Sequence, residues 1–145
     1  MPLWAFTVGP GTLTQEEKES LASSITKLYM KFGLPAFYVE VIFKEVEPRN
    51  FFIGGERRDN FASISIQHVA RSMDTEEQQK RFLGAADAIM NPMFEPKGMD
   101  WEYFVSESPR SLWKINGLVP PASHSAEEKA WFENNRPFDY KTAKI

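Results

Sequence analysis

Apolar and polar residues alternate along the first third of the chain in a strand–helix–strand order. The apolar segment Leu3–Val8 predicts a short buried strand, and the turn residues that follow, Gly9 to Gly11, end it. A Thr-x-x-Glu capping box begins a helix at Thr14. The alternation between Tyr38 and Val46 predicts a second strand. Between them, apolar spacings of four, three and four predict one helical stripe, made of Leu21, Ile25, Leu28 and Phe32.

The same order recurs in the second third of the chain. Alternation over Ala62–Val69 predicts a strand, and a second capping box begins a helix at Thr75. We expect Pro92 and Pro96 to break this helix, and Trp101–Val105 to form the next strand. The predicted apolar stripe of the second helix consists of Phe82, Ala86, Ile89 and Met93.

Two β-α-β units predict an α/β (α+β) fold in which a four-stranded sheet carries two helices on one face. The 145 residues fit a single domain, with a core over 2–119 and a C-terminal docking segment over 120–145. Just before that segment, Leu112–Ile115 suggests an edge strand. Within it, Ser125–Asn134 suggests a short helix. The open face of the sheet must be buried against this segment or another subunit.

Composition removes several classes of function. The chain has no cysteine and two histidines, so disulfides and thiolate chemistry are excluded and no metal site is expected. A net charge of -3 does not favour nucleic acid as a partner. No apolar run is long enough for a membrane span and no secretory signal precedes Leu3, which predicts a cytoplasmic protein.

The remaining chemistry depends on Pro2 and a few polar side chains. Removal of Met1 would leave a secondary amine on Pro2, which acts as a base once burial and nearby cations lower its pKa. With Met1 attached, the same nitrogen is a non-basic amide. Arg71 follows the third strand, where a guanidinium can bind a carboxylate. The hydroxyls of Tyr103 and Tyr29 can polarise a carbonyl or stabilise an enolate.

Other polar residues favour structural interpretations. His68 fits a structural histidine better than a base, and His124 lies in a polar stretch that predicts exposure. Arg57 and Arg58 follow two glycines in a loop and are expected to be solvated.

Together, these features resemble the tautomerase superfamily, and within it the cis-3-chloroacrylic acid dehalogenase branch. The resemblance extends to about Pro121 and rests on the terminal proline, the element order, Arg71 and short strings in register. The strings include Leu13-Thr14, Ala22 to Thr26, Phe43, Gly54-Gly55 and Trp101-Glu102-Tyr103-Phe104 with Pro109. The resemblance implies a cofactor-independent homotrimer that acts on small carboxylic acids. Pro2 would be the general base or acid, Arg71 would bind the carboxylate, and Tyr103 would polarise the substrate.

The chain departs from that branch at three positions. Tyr29 stands where the branch has a histidine, Asp74 where it has a second arginine, and Lys114–Gly117 lacks its water-activating glutamate. These differences argue against hydrolytic dehalogenation and favour keto–enol tautomerisation of a monoacid with an apolar or aromatic group. Phe37, Leu112 and Trp113 are candidates for an apolar lining. A hydratase, decarboxylase or weak dehalogenase of unsaturated acids, and a non-catalytic trimeric binding protein, stay open as alternatives.

Overall fold

The computed structural model describes residues 1–139, so the end of the predicted docking segment, including Tyr140, lies outside the described residues. The predicted α/β fold is confirmed: one four-stranded sheet carries the helices. The strands are β1 (Leu3–Val8), β2 (Glu40–Glu45), β3 (Phe52–Ile53), β4 (Glu56–Arg57), β5 (Phe61–His68) and β6 (Asp100–Glu107). The helices are α1 (Gln15–Met30), α2 (Glu76–Phe94) and α3 (Ala126–Asn134).

The sheet joins the two β-α-β units through their first strands. Its order is β2-β1-β5-β6, with β1 parallel to β2, β5 parallel to β6, and β1 antiparallel to β5. In the central pair Leu3 lies opposite Gln67, so the start of β1 meets the end of β5. Strands β3 and β4 form a separate hairpin around the glycine pair Gly54-Gly55, both with positive φ, which glycine adopts without steric cost.

Both long helices begin at the predicted capping boxes. The side chain of Thr14 accepts from the Glu17 N–H and that of Thr75 accepts from the Gln78 N–H, each with the reciprocal bond. The first predicted stripe is wrong at its last member. Phe32 follows the end of α1 and is 45% exposed, and Tyr29 is buried instead. Pro92 also does not break α2, which continues through it and ends two residues later at Phe94.

Of the predicted strands, one is shorter than the pattern suggested and one is absent. A 3₁₀ turn over Ala36–Tyr38 delays β2 until Glu40. The segment Leu112–Ile115 is not a strand: a 3₁₀ turn over Arg110–Leu112 is followed by a single bridge between Ile115 and Leu118. The predicted helix near the C-terminus is present as α3, capped by Ser125.

The two faces of the sheet differ in burial. Trp4, Phe6 and Ile64 face the helices and are fully buried. On the opposite face Ile42 is 41% exposed and Phe104 is 57% exposed, and both lie in one row across the sheet through Ala5 and Ser65. Within one chain this outer face is therefore only partly covered.

Helix α3 packs at the edge of the core through one large side chain. Trp131 is fully buried and contacts the rings of Phe37 and Tyr38, with centroid distances of 5.9 and 6.3 Å. Its indole N–H donates to the Phe138 carbonyl oxygen at 2.9 Å. In the part of the chain that the structure describes, no helix combines the length and apolarity needed to cross a bilayer.

Candidate active site

The topology gathers several chain positions at one end of the sheet. Strand β1 begins there just after Pro2, and β5, which runs the opposite way, ends there at His68. Each helix of a β-α-β crossover runs back against its strand, so α1 ends and α2 begins at this same end. Tyr29 and Arg71 therefore approach Pro2 although they are far from it in sequence.

A cavity of about 640 Å³ opens between these elements. Three of the four predicted site residues line it, Pro2, Tyr29 and Arg71, together with His68. Its apolar walls come from residues at the end of α1, the end of β5 and the start of α2, namely Phe32, Leu34, Val69, Met73 and Phe82. The predicted apolar residues lie elsewhere: Trp113 packs on Tyr38, Phe37 packs on Trp131, and Leu112 is 83% exposed.

The amino terminus lies in a poorly solvated environment, where the effect of two arginines outweighs that of Glu40 and Glu128. Burial foremost, and then the charges of Arg110 and Arg71, lower the pKa of the Met1 amine from 8.0 to about 4. Pro2 itself is buried, and its carbonyl oxygen accepts from the Glu40 N–H at 2.9 Å. The Met1 amine is therefore neutral at cellular pH.

Three buried side chains form a hydrogen-bonded chain under the cavity. The Trp4 indole N–H donates to the Tyr29 hydroxyl at 2.8 Å, and that hydroxyl lies 2.6 Å from Nε2 of His68. Burial raises the pKa of Tyr29, and burial followed by the charge of the amino terminus lowers the pKa of His68 to about 4. The imidazole is therefore neutral at cellular pH, and one proton is shared between its Nε2 and the Tyr29 hydroxyl.

Arg71 is held by a carboxylate of the same chain. Its Nη1 and Nη2 donate to the two carboxylate oxygens of Glu128 on α3, at 3.0 and 2.8 Å. Nη1 also lies within bonding distance of the Ser123 hydroxyl and the Ala70 carbonyl oxygen. Glu128 is 2% exposed and accepts from the His124 N–H as well. This bidentate pair fixes α3 to the loop after β5.

The rest of the cavity wall is rich in cations. Lys31, at the end of α1, and Arg81, in the second turn of α2, both line the cavity and are exposed. Across residues 1–139, no aspartate or glutamate is among the lining residues. The cavity therefore suits an anionic ligand with an apolar body.

The fourth predicted site residue does not share this cavity. Tyr103 projects from β6 toward α2, where its hydroxyl donates to Asp87 at 2.6 Å and lies 3.2 Å from the Leu83 carbonyl oxygen. Burial, with Asp87 beside it, raises the pKa of this tyrosine. Arg57 lies on β4 and Arg58 just after it, both exposed and outside the cavity lining.

Sequence reasoning underrated two residues of the site. His68 continues the buried alternation of Ala62, Ile64 and Ile66, so its position already placed it inside rather than on the surface. Glu128 stands three residues after the Ser125 cap, a spacing typical of a capping box. Its side chain turns instead to Arg71, which the spacing alone does not reveal.

Comparison with known proteins supports a family assignment. The sequence model of a family described as putative oxalocrotonate tautomerase enzymes matches residues 1–136. Among curated protein sequences none matches this chain.

Within residues 1–139, no cluster of three or more histidine, aspartate or glutamate residues is arranged to hold a metal ion.

Solved structures extend the comparison. A probable enzyme from the fungus Aspergillus fumigatus is 56% identical, with a TM-score of 0.93 over 97% of this chain and 98% of that one. RhCC from Rhodococcus jostii RHA1 is 36% identical, with a TM-score of 0.92 over 95% and 99%. N1, a member of the cis-3-chloroacrylic acid dehalogenase family, is 22% identical with a TM-score of 0.72 over 92% and 97%, which shows a shared fold.

Proposed function

The chain belongs to the family of putative oxalocrotonate tautomerase enzymes, and from this membership we propose that it is a cofactor-independent keto–enol tautomerase of small carboxylic acids. Pro2 is the proposed proton carrier. The observation that carries the proposal is the position of Pro2 in an apolar cavity that is lined by cations and, within the described residues, by no carboxylate.

The proposed reaction moves one proton between oxygen and carbon. Once Met1 is removed, the Pro2 nitrogen takes the enol O–H proton, and the protonated amine then returns a proton to the adjacent carbon to give the keto acid. Such a base must be neutral at cellular pH. The environment that lowers the pKa of the Met1 amine to about 4 supports this state for the amine of Pro2.

The developing enolate oxygen needs a hydrogen-bond donor. We assign this role to His68, which lines the cavity and lies 2.6 Å from the Tyr29 hydroxyl through Nε2. In this proposal Nε2 accepts from Tyr29, and the ring proton is on Nδ1. Tyr29, predicted as a direct participant, then acts as a positioning residue through His68. In the part of the chain that the structure describes, the Tyr103 hydroxyl is bonded to Asp87 outside the cavity, which does not support its predicted role.

Hydration and hydrolytic dehalogenation are less well supported. Both need a water molecule activated by a base other than the proline that protonates the substrate. Among residues 1–139, the side chains around the cavity include no carboxylate for this task. A proton transfer confined to the substrate and one amine needs no such group.

We further propose that the chain forms a homotrimer through the outer face of its sheet. The exposed Ile42 and Phe104 on that face are apolar residues that a subunit contact would bury. Native mass spectrometry should show three chains per particle, and a monomer as the main species would contradict this assembly.

The test of the proposed function is the effect of Pro2→Ala on the ketonisation of phenylenolpyruvate, followed by ultraviolet absorbance. General acid–base catalysis accounts for about 10²–10⁴-fold in rate, so we expect kcat/KM to fall by at least about 100-fold. Intact mass must first show that Met1 is absent from both proteins. One adduct of 3-bromopyruvate on Pro2 would confirm a free, nucleophilic amine.

Pro10→Ala is the matched control, because Pro10 is exposed at the opposite end of β1 and should leave the rate unchanged. An equal rate for wild type and Pro2→Ala would rule out the proline mechanism. A trimmed wild-type protein without turnover would instead favour a non-catalytic binding protein.

A further inference from the structure

The three cations at the cavity differ in how far their charges are already neutralised. Arg71 has a buried, bidentate carboxylate partner in Glu128. Within residues 1–139, the one ion-pair partner of Arg81 is the exposed Glu77, one helical turn away at 2.8 Å. For Lys31 the described residues contain no ion pair.

We propose that Lys31 and Arg81 bind the carboxylate of the substrate, and that Arg71 is a structural anchor for α3. This inference rests on the proposed function, and it names the specificity residues of the same cavity. It replaces the carboxylate-binding role that the sequence assigned to Arg71.

The geometry of Arg71 argues against a second carboxylate. Both terminal nitrogens already donate to Glu128, and Nη1 also lies close to Ser123 and Ala70. The remaining Nε–H is buried and has no hydrogen-bond partner in the described part of the chain. A substrate would have to expel Glu128, which is 2% exposed and fixed on α3.

Helix α3 itself resists such a displacement. Trp131, one turn after Glu128, is fully buried against Phe37 and Tyr38. The Glu128 carboxylate also accepts from the His124 N–H at 2.8 Å. Removing one partner of a buried ion pair leaves an uncompensated charge, so exchange of Glu128 for a substrate carboxylate is unfavourable.

Lys31 and Arg81 are suited to the role that Arg71 cannot fill. Among the described residues, Lys31 has no ion pair and Arg81 has one exposed pair, so a ligand does not have to break a strong contact there. They stand at the end of α1 and the start of α2, which the topology brings to the same end of the sheet as Pro2. Apolar Phe32 and Phe82 adjoin them in the cavity wall and suit the body of an aromatic monoacid.

The experiment compares the binding of phenylpyruvate and of its uncharged methyl ester by calorimetry. For the acid we expect Kd to rise about threefold in Lys31→Gln and in Arg81→Gln, and about tenfold in the double variant. Kd of the ester should stay within about twofold in all of them. Lys80→Gln is the matched control, because Lys80 has the same kind of exposed pair, with Glu76, but does not line the cavity.

Glu128→Gln separates the two roles of Arg71. If Arg71 is an anchor, this variant is less stable but binds the acid with an unchanged Kd. Tighter binding of the acid would mean that Glu128 competes with substrate for Arg71, and would overturn the inference. If Glu128→Gln does not fold, an anchor is supported and the Kd values of the Lys31 and Arg81 variants decide the rest.

Two further results would also overturn the inference: equal acid affinity in wild type and the double variant, or equal affinity of wild type for acid and ester. The outcome is independent of turnover. Binding through Lys31 and Arg81 without ketonisation would remove the proposed function alone. Ketonisation that needs Pro2 but is indifferent to Lys31 and Arg81 would remove this inference alone.

Discussion

The polar side chains around the cavity form two sets, one buried and hydrogen-bonded and one exposed to solvent. Under the cavity and along its α3 side, Tyr29, His68, Arg71 and Glu128 are at most about one-fifth exposed and bonded to one another or to neighbours. At the mouth, Arg81 is 67% exposed and has one surface partner. Buried polar groups must be satisfied within the fold, whereas exposed ones are satisfied by water and remain available to a ligand.

This contrast separates stability from binding. Removing one partner of a buried charge pair lowers the free energy of unfolding strongly, because the remaining charge is not solvated. An exposed pair contributes little, because water replaces the lost partner. The same residue type, arginine, therefore has a buried carboxylate partner at position 71 and an exposed one at position 81, which is the basis of the different roles proposed for them.

The largest expected effect comes from breaking the buried pair. Glu128→Gln leaves Arg71 without its carboxylate, and since Arg71 is 21% exposed we expect a loss near the lower end of the usual range, about 3 kcal/mol. Urea unfolding followed by tryptophan fluorescence measures this loss. A change below about 0.5 kcal/mol would show that the pair does not anchor α3.

Arg81→Gln is the control for that comparison. It also removes an arginine–glutamate pair, but one on the surface of α2, with side chains 67% and 81% exposed. Helical pairs of this kind contribute about 0.3–0.5 kcal/mol, so its unfolding free energy should stay close to that of wild type.

A smaller effect is expected from the pH dependence of the buried network. His68 has a folded pKa of about 4 against an ordinary value of 6.5, so the unfolded chain binds one more proton between these values. Its contribution to stability is complete above about pH 6.5 and is lost as the pH falls toward 4. Charged or titratable groups near the ring are the Tyr29 hydroxyl and the amino terminus.

We expect His68 to account for about 2–3 kcal/mol of the stability lost between about pH 7 and pH 4.5. Unfolding free energies of wild type and His68→Gln over this range isolate that contribution. The two proteins should converge at acid pH, and parallel curves would show that His68 does not titrate in this window.

Local patterns in the sequence predicted much of the fold. Capping boxes at Thr14 and Thr75 mark the starts of α1 and α2, because a cap depends only on residues a few positions apart. The bounds of β1 were predicted without error, since alternation and the turn at Gly9 to Gly11 are also local. The strand predicted at Leu112–Ile115 was wrong, because within residues 1–139 this segment pairs with no strand and makes one bridge, between Ile115 and Leu118, after the turn at Arg110–Leu112.

By itself the sequence determined the two β-α-β units, their order and three of the residues that line the cavity, Pro2, Tyr29 and Arg71. Only the tertiary structure decided which of their hydrogen bonds are already made. Glu128 is 57 positions from Arg71, and His68 is 39 positions from Tyr29, so no local pattern predicts either contact. Whether an arginine can bind a ligand depends on the groups that packing brings to it, and packing is a property of the whole chain.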